Sequence, residues 1–434
     1  MIVRFTGAIA DLDAESRRAL FDRLVDGAAE IRASVAKIVA EVRTRGDVAL
    51  RDYAARFDRV ALEQLEVPRV ELQRALQELP AEIRAALERA ARNIEAAHRA
   101  WQPVGAELET EPGVWIRREP FPISRVGVYA PGGRAAYPSS VLMGVIPAGV
   151  AGVPEIMVCS PPGPGGLPAD AVLAAAELAG ASRVFAVGGA SAIAAMAFGT
   201  ATVPRVDKII GPGNAYVMEA KLLVASRVGI DAPAGPSEVL IVADARADLG
   251  RVAREMVAQA EHDPRAAAVA VLLGGSDRTE ALFEALGDEL EAAGRESIAR
   301  EALAAAGGVL TSAYLDEAVA FANRYAPEHL LLALADPDSV RTRFRTSGAV
   351  FLGESSSVVF GDYLTGANHV LPTGGLARSY SGLSPADFVR WTTYQRVTPA
   401  AAVRLSRDTA ILAAAECLDV HARAARQWEE TEER

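Results

Sequence analysis

The stretch ISRVGVYAPGGRAAYPSSVLMGVIPAGVAGVPEIMVCS, residues 123–160, carries the reading of the fold. Two short runs rich in β-branched residues, 123–129 and 155–160, flank a longer apolar segment, 141–153. The outer runs read as strands and the middle one as a buried helix. A bilayer span takes about 20 apolar residues, so this short segment, broken by Pro147 and several glycines, is not expected to cross a membrane. The same alternation continues through RVFAV, DKII, EVLIVA and AVAVLL, each separated from the next by an Ala-rich segment long enough for a helix. Strand and helix in turn predict a parallel, doubly wound sheet.

Upstream, residues 15–101 repeat apolar positions every three or four residues among Arg and Glu, as in IRASVAKIVAEVR and AALERAARNIEAAHRAW. That spacing predicts amphipathic helices. Downstream, further helices are expected around 249–260, 279–293 and 314–325, in a second αβ unit. Residues 381–434 read as largely helical and too short to bury a core alone. They are expected to pack on the main body or on a second subunit.

Half of the 434 residues are hydrophobic, 23% are charged and the formal net charge is −11. This is an ordinary globular balance with no basic surface for nucleic acid or anionic lipid. Cys159 and Cys417 are the only cysteines, which excludes a disulfide framework and suits a reducing cytoplasm. The first residues reach Asp11, Asp13 and Glu15 before any long apolar run, unlike a signal peptide.

Two glycine-rich turns join strand to helix, VGGASAI (187–193) and GPGNAYV (211–217), where backbone can approach a ligand. Neither is the GxGxxG fingerprint. Of the five histidines, His98 lies in the helix ending IEAAHRAW, beside Arg99, and reads as structural or as a surface residue. In AQAEHDP, Gln259 and His262 share a helix face, so they read equally as metal donors or as a helix end with a histidine near its dipole. FGDYLTGANHVLPTGG concentrates Asp362, Asn368 and His369 in a glycine-rich loop, and loops of that kind tend to carry function. His369 reads as either a satisfied buried histidine or a cofactor contact, and His421 as a ligand or an exposed helical histidine. In YAPEHLLL, Glu328 and His329 precede an apolar strand-like run. Side by side they can handle protons separately, or they form an ordinary exposed turn.

Read together, GVYAPGG, YPSSVLM, VGGASAIAAMAFGT, DKIIGPGNAYV, PAGPSEVLI, AQAEHDP, APEHL, GANHVLPTGG and AAAECLDVHA resemble the histidinol dehydrogenase family. The resemblance runs from about Arg125 to His421, and the order of the blocks makes it specific. It implies oxidation of L-histidinol through an enzyme-held aldehyde to L-histidine with two NAD, the last step of histidine biosynthesis. It further implies two incomplete Rossmann-like αβα domains with helical N-terminal and C-terminal extensions. The implied boundaries are an N-terminal extension at 1–26, a first domain from 27–126 plus 238–380, a second from 127–237, and a tail at 381–434.

The same likeness makes Gln259, His262, Asp362 and His421 ligands of one zinc ion per subunit, with His421 supplied by the other subunit of a homodimer. Glu328 and His329 become the acid/base pair. Ser237 and Glu416 join His329 and the four ligands against the substrate, and Tyr129, Ser191 and Asn214 face NAD. Ser191 stands where the family often has a glutamine. Glu416 and His421 are five apart, about 140° around a straight helix, so either the helix ends between them or they approach from different sides. Rival readings are a related dehydrogenase of another small alcohol, such as a sulfonated diol, a zinc hydrolase, or a non-catalytic metal-binding protein. A carboxylate at Glu416 suits an amine-bearing substrate and would repel a sulfonate.

Overall fold

The computed structural model describes residues 2–23, 29–132, 136–233, 235–275 and 278–429. Its strands are β1 (Phe5–Ala8), β2 (Ala106–Glu111), β3 (Val114–Pro122), β4 (Arg125–Tyr129), β5 (Glu155–Ser160), β6 (Arg183–Ala186) and β7 (Lys208–Ile210). They continue as β8 (Gly229–Ile230), β9 (Glu238–Ala243), β10 (Ala267–Leu273), β11 (Gly308–Ser312), β12 (His329–Ala333), β13 (Ala349–Leu352) and β14 (Val389–Val397). One compact unit comprises residues 1–101 and 123–388, and a second comprises 102–122 and 389–434.

The first unit holds two parallel sheets, ordered β6-β5-β4-β7-β8 and β1-β11-β10-β9-β12-β13. The alternation read from residue 123 onward is therefore what folds, with each β-rich run becoming a parallel strand. Both sheets reverse direction beside their first central strand, between β4 and β7 in one and between β9 and β12 in the other. The apolar segment after β4 is the helix Pro138–Val150, buried along nearly its whole length. No described helix is long and apolar enough to cross a membrane.

In the six-stranded sheet, alternate residues of β9 serve opposite faces, as the period of two requires. Val239 and Ile241 pack with Val252, Met256, Leu282 and Leu286 from the helices on one side. Leu240 and Val242 pack with Leu20, Phe321 and Tyr325 on the other. A strand buried on both faces needs continuous apolar sequence, which EVLIVA provides. The helices Leu249–Ala260, Thr279–Ala292 and Leu315–Tyr325 end within a residue of the expected limits.

The second unit is an antiparallel sheet, β14-β3-β2, with the helices Pro399–Ala415 and Asp419–Arg426. The segment after residue 381 thus contains a nine-residue strand as well as the expected helices. Every residue of β2 is exposed. Strands without a buried face lack the apolar alternation by which the others are read.

Candidate active site and nucleotide face

Glu328 and His329 lie where β12 begins, beside the start of β9, with His329 in register with Val239. They are 6% and 3% exposed, which removes the reading as a solvent-exposed turn. Chain reversals in parallel sheets usually hold ligands at the carboxyl ends of strands. This group sits at the amino end instead.

The Glu328 carboxylate is held by two donors. Its Oε2 accepts from the Ser237 hydroxyl at 2.5 Å and from the Glu238 N–H at 2.8 Å. Burial pushes the Glu328 carboxyl up to about 7, against the opposing influence of His329 and of those two hydrogen bonds. His329 Nδ1 lies 3.1 Å from the Glu238 carbonyl oxygen. A carbonyl only accepts, so Nδ1 carries the hydrogen, and Nε2 has its lone pair available when the ring is neutral. That Nε2 is buried without a hydrogen-bond partner among the described residues, 3.7 Å from Asp362 Oδ1.

Asp362 belongs to the short helix Val358–Tyr363 rather than to the loop that follows it. Its backbone carbonyl accepts from His369 Nδ1 at 2.9 Å. Burial lowers the His369 pKa, opposed by the nearby Asp362 carboxylate, while His329 and His262 act in the same direction as burial. His369 is thus a partly buried histidine that anchors the Asp362 backbone. Glu255, one turn before Gln259, accepts from the Val358 N–H at 3.2 Å and so caps the helix bearing Asp362. Gln259 is buried, with its amide nitrogen unsatisfied among the described residues. His262 is exposed and turns Nδ1 to the Ala258 carbonyl at 2.9 Å, which leaves Nε2 available. No group of three or more His, Cys, Asp or Glu able to hold a metal is found among the described residues.

His98 is fully buried, with Nδ1 at 2.7 Å from the Ile94 carbonyl and Nε2 3.4 Å from Asn368, which removes the surface alternative and leaves the structural one.

On the five-stranded sheet, Tyr129 ends β4, Ser191 lies in the helix following β6, and Asn214 follows β7. The first and last flank the reversal at the carboxyl ends, where nucleotides bind in such sheets. The Tyr129 hydroxyl accepts from the Gly189 N–H at 3.0 Å, at the start of the helix Gly189–Phe198. Asn214 caps the helix Ala215–Val224 by accepting from the Tyr216 and Val217 N–H groups. Ser191 is buried and donates to the Gly188 carbonyl at 2.7 Å. Gly211, between β7 and Asn214, has φ +113°, and a Cβ there would stand 2.1 Å from the Tyr129 carbonyl oxygen.

The histidinol dehydrogenase family model matches residues 22–427. The chain belongs to the histidinol dehydrogenase family. It is 43% identical over 428 residues to a histidinol dehydrogenase of Methanosarcina barkeri, covering 98% of both chains. To that of Methanothermobacter thermautotrophicus it is 47% identical over 398 residues, covering 92% of this chain and 93% of the relative. The crystal structure of histidinol dehydrogenase from Elizabethkingia anophelis superposes with a TM-score of 0.94 at 34% identity, covering 100% of this chain and 99% of that one.

As a histidinol dehydrogenase family member, the chain is an NAD-dependent oxidoreductase. Two residues implied for the substrate, Glu416 and His421, lie in the second unit and are exposed. The helix question raised by their spacing has an answer: one helix ends at Ala415, Cys417 turns with φ +60°, and the next helix begins at Asp419. Arg23, Glu238 and Glu255 were not among the expected site residues: Glu238 bonds Glu328 and His329, Arg23 bonds Glu238, and Glu255 caps the helix bearing Asp362.

Proposed function

We propose that the chain oxidises L-histidinol through bound L-histidinal to L-histidine with two NAD, as the last step of histidine biosynthesis, and that Glu328 and His329 carry the proton transfers. The observation that carries this reading is the pairing of two buried titratable groups with different fixed partners. His329 presents an unpartnered Nε2, whereas Glu328 is a carboxyl pushed up to about 7. An alcohol oxidation needs a base for the hydroxyl proton, and the second oxidation needs a base for the water that hydrates the aldehyde. His329 Nε2 takes the first role and Glu328 the second. The burial of both keeps bulk water from the aldehyde held between the steps.

Gln259, His262 and Asp362 fit a divalent ion in the chemistry of their donors: an amide with a carbonyl oxygen to offer, an imidazole whose other nitrogen is already tied, and a carboxylate on a capped helix. The set is short by one, and we assign the fourth place to His421 of the partner subunit in a homodimer. When bound, zinc supplies a fixed centre for the imidazole and amine of histidinol. In this reading Ser237 and Glu416 also face the substrate. The acid/base and metal residues belong to the domain formed by 27–126 plus 238–380. Tyr129, Ser191 and Asn214 face NAD from the domain at 127–237, and 381–434 serves the dimer. Two free cysteines, one of them exposed, support a reducing cytoplasm as its location.

The test is stoichiometry. Purified protein given histidinol, zinc and NAD is expected to form two NADH per histidinol consumed. One NADH, with the aldehyde released, would overturn the two-step reading; turnover without NAD would favour a hydrolase.

A further inference from the structure

A buried positive charge one residue removed from the acid/base pair comes from the N-terminal segment. Arg23 grips Glu238 with two hydrogen bonds, Nε to Oε2 at 2.8 Å and Nη2 to Oε1 at 3.0 Å. Its other donors are also engaged, Nη1 with the Leu20 carbonyl at 2.5 Å and Nη2 with the Tyr325 carbonyl at 2.8 Å. The guanidinium carbon stands 3.4 Å from the centroid of the Tyr325 ring. Side-chain exposures are 10% for Arg23 and 2% for Glu238.

Glu238 in turn touches the pair three times. Its N–H donates to Glu328 Oε2 at 2.8 Å, its carbonyl accepts from His329 Nδ1 at 3.1 Å, and its Oε1 accepts from the Glu328 N–H at 3.2 Å. One residue therefore sets the direction of the Glu328 carboxylate, the tautomer of His329 and the backbone that joins them. Two of these contacts come from the Glu238 main chain, which the pairing of β9 with its neighbours holds; the third comes from its carboxylate, and what fixes that carboxylate is Arg23.

A buried ion pair is weak evidence for stability, because desolvation offsets much of the attraction and apolar replacements of similar size are often neutral. The geometry here serves a different end. Without Arg23, Glu238 would be a second buried carboxylate beside Glu328 with its countercharge removed. With Arg23 beside it, the Glu238 carboxylate is held so that its Oε1 meets the Glu328 N–H.

We propose that Arg23 and Glu238 form a positioning couple for the acid/base pair, by which the N-terminal segment holds Glu328 and His329 in their working orientation. The inference rests on the reading of that pair given above. Neither residue is assigned contact with substrate.

The test uses the full-length holoenzyme in two forms. The double variant Arg23→Met with Glu238→Gln removes both charges together, so no buried charge is left alone. Glu238→Asp keeps the charge and shortens its reach. Displacing a catalytic group by about 1 Å costs on the order of a hundredfold in rate, so kcat is expected to fall at least about tenfold in both. The KM for histidinol and the Kd for NAD are expected to stay within about threefold, since the couple acts on orientation rather than binding. The backbone amide resonance of Glu328, whose N–H donates to the Glu238 carboxylate, should move in both variants, whereas the His329 tautomer, set by the Glu238 main-chain carbonyl, should not.

Wild-type kcat with an unmoved Glu328 amide resonance in a folded variant would overturn the couple, as would equal losses in kcat and in both binding constants. Glu328→Gln and His329→Asn are measured alongside. If these keep turnover, it is the assignment of the pair that fails; if they lose it while the Glu238 variants do not, only the couple fails.

Discussion

At the residue scale, the division of labour between Glu328 and His329 makes separable predictions. Glu328→Gln keeps an oxygen to accept from Ser237 and Glu238 but cannot take a proton from water. It is expected to slow the second hydride transfer at least about a hundredfold, in the usual range for loss of a general base, and the first by much less. Rapid mixing with histidinol and, separately, with histidinal measures the two steps, and equal losses would contradict the assignment. Because burial raises the Glu328 carboxyl to about 7, the second step should weaken as pH falls through that value and the base becomes protonated. Stability runs the other way. The folded carboxyl binds its proton more tightly than an unfolded one with a value of 4.5, so its contribution is complete below 4.5 and is lost as pH rises through about 7. Glu328→Gln should therefore raise the melting temperature at pH 8, by an amount reflecting about 1–3 kcal/mol, and change it little at pH 4. A variant less stable than wild type at pH 8 would refute this sign.

At the element scale, the turn after β7 shows how backbone geometry defines a binding edge. The Gly211 N–H donates to Asp231 Oδ2 at 2.7 Å, and its carbonyl accepts from Lys221 Nζ at 2.5 Å. Lys221 and Asp231 are themselves a buried pair. A side chain at Gly211 would be forced into the Tyr129 carbonyl at a φ that L-residues rarely adopt. Gly211→Ala is expected to cost at least about 1–3 kcal/mol locally and to weaken NAD binding at least about tenfold. Calorimetric titration with NAD checks it, and an unchanged Kd would remove this turn from the nucleotide site. The sequence announces this turn, because GPGNAYV follows an apolar run and opens a helix. It likewise announces the parallel strands, whose burial on both faces leaves unbroken apolar runs. It is silent where the physical cause is not local: β2 has no buried face, and Arg23 meets Glu238 across 215 positions. Asp362 was visible as a polar residue among glycines, but its cap by Glu255 joins two segments 103 residues apart.

At the scale of the whole molecule, the acid/base group and three of the four assigned ligands lie in one compact unit, whereas His421 and Glu416 lie in the other. The short hairpin of helices carrying them exposes Ile411, Leu412, Leu418 and Val420, more apolar surface than a free-standing pair of helices favours. A subunit that lends His421 to its neighbour would explain both facts, and complementation tests it. Glu328→Gln and His421→Ala subunits, each inactive in the second step as homodimers, are unfolded together and refolded. In a mixed dimer with shared sites, one site takes both defects and the other takes none. With random assortment half the dimers are mixed, so about a quarter of wild-type activity should return. If each site uses its own His421, every site in every dimer carries one defect and nothing returns. Refolded parents assayed separately give the baseline, and recovery that follows the fraction of mixed dimers as the ratio of parents is varied would rule out simple refolding gains.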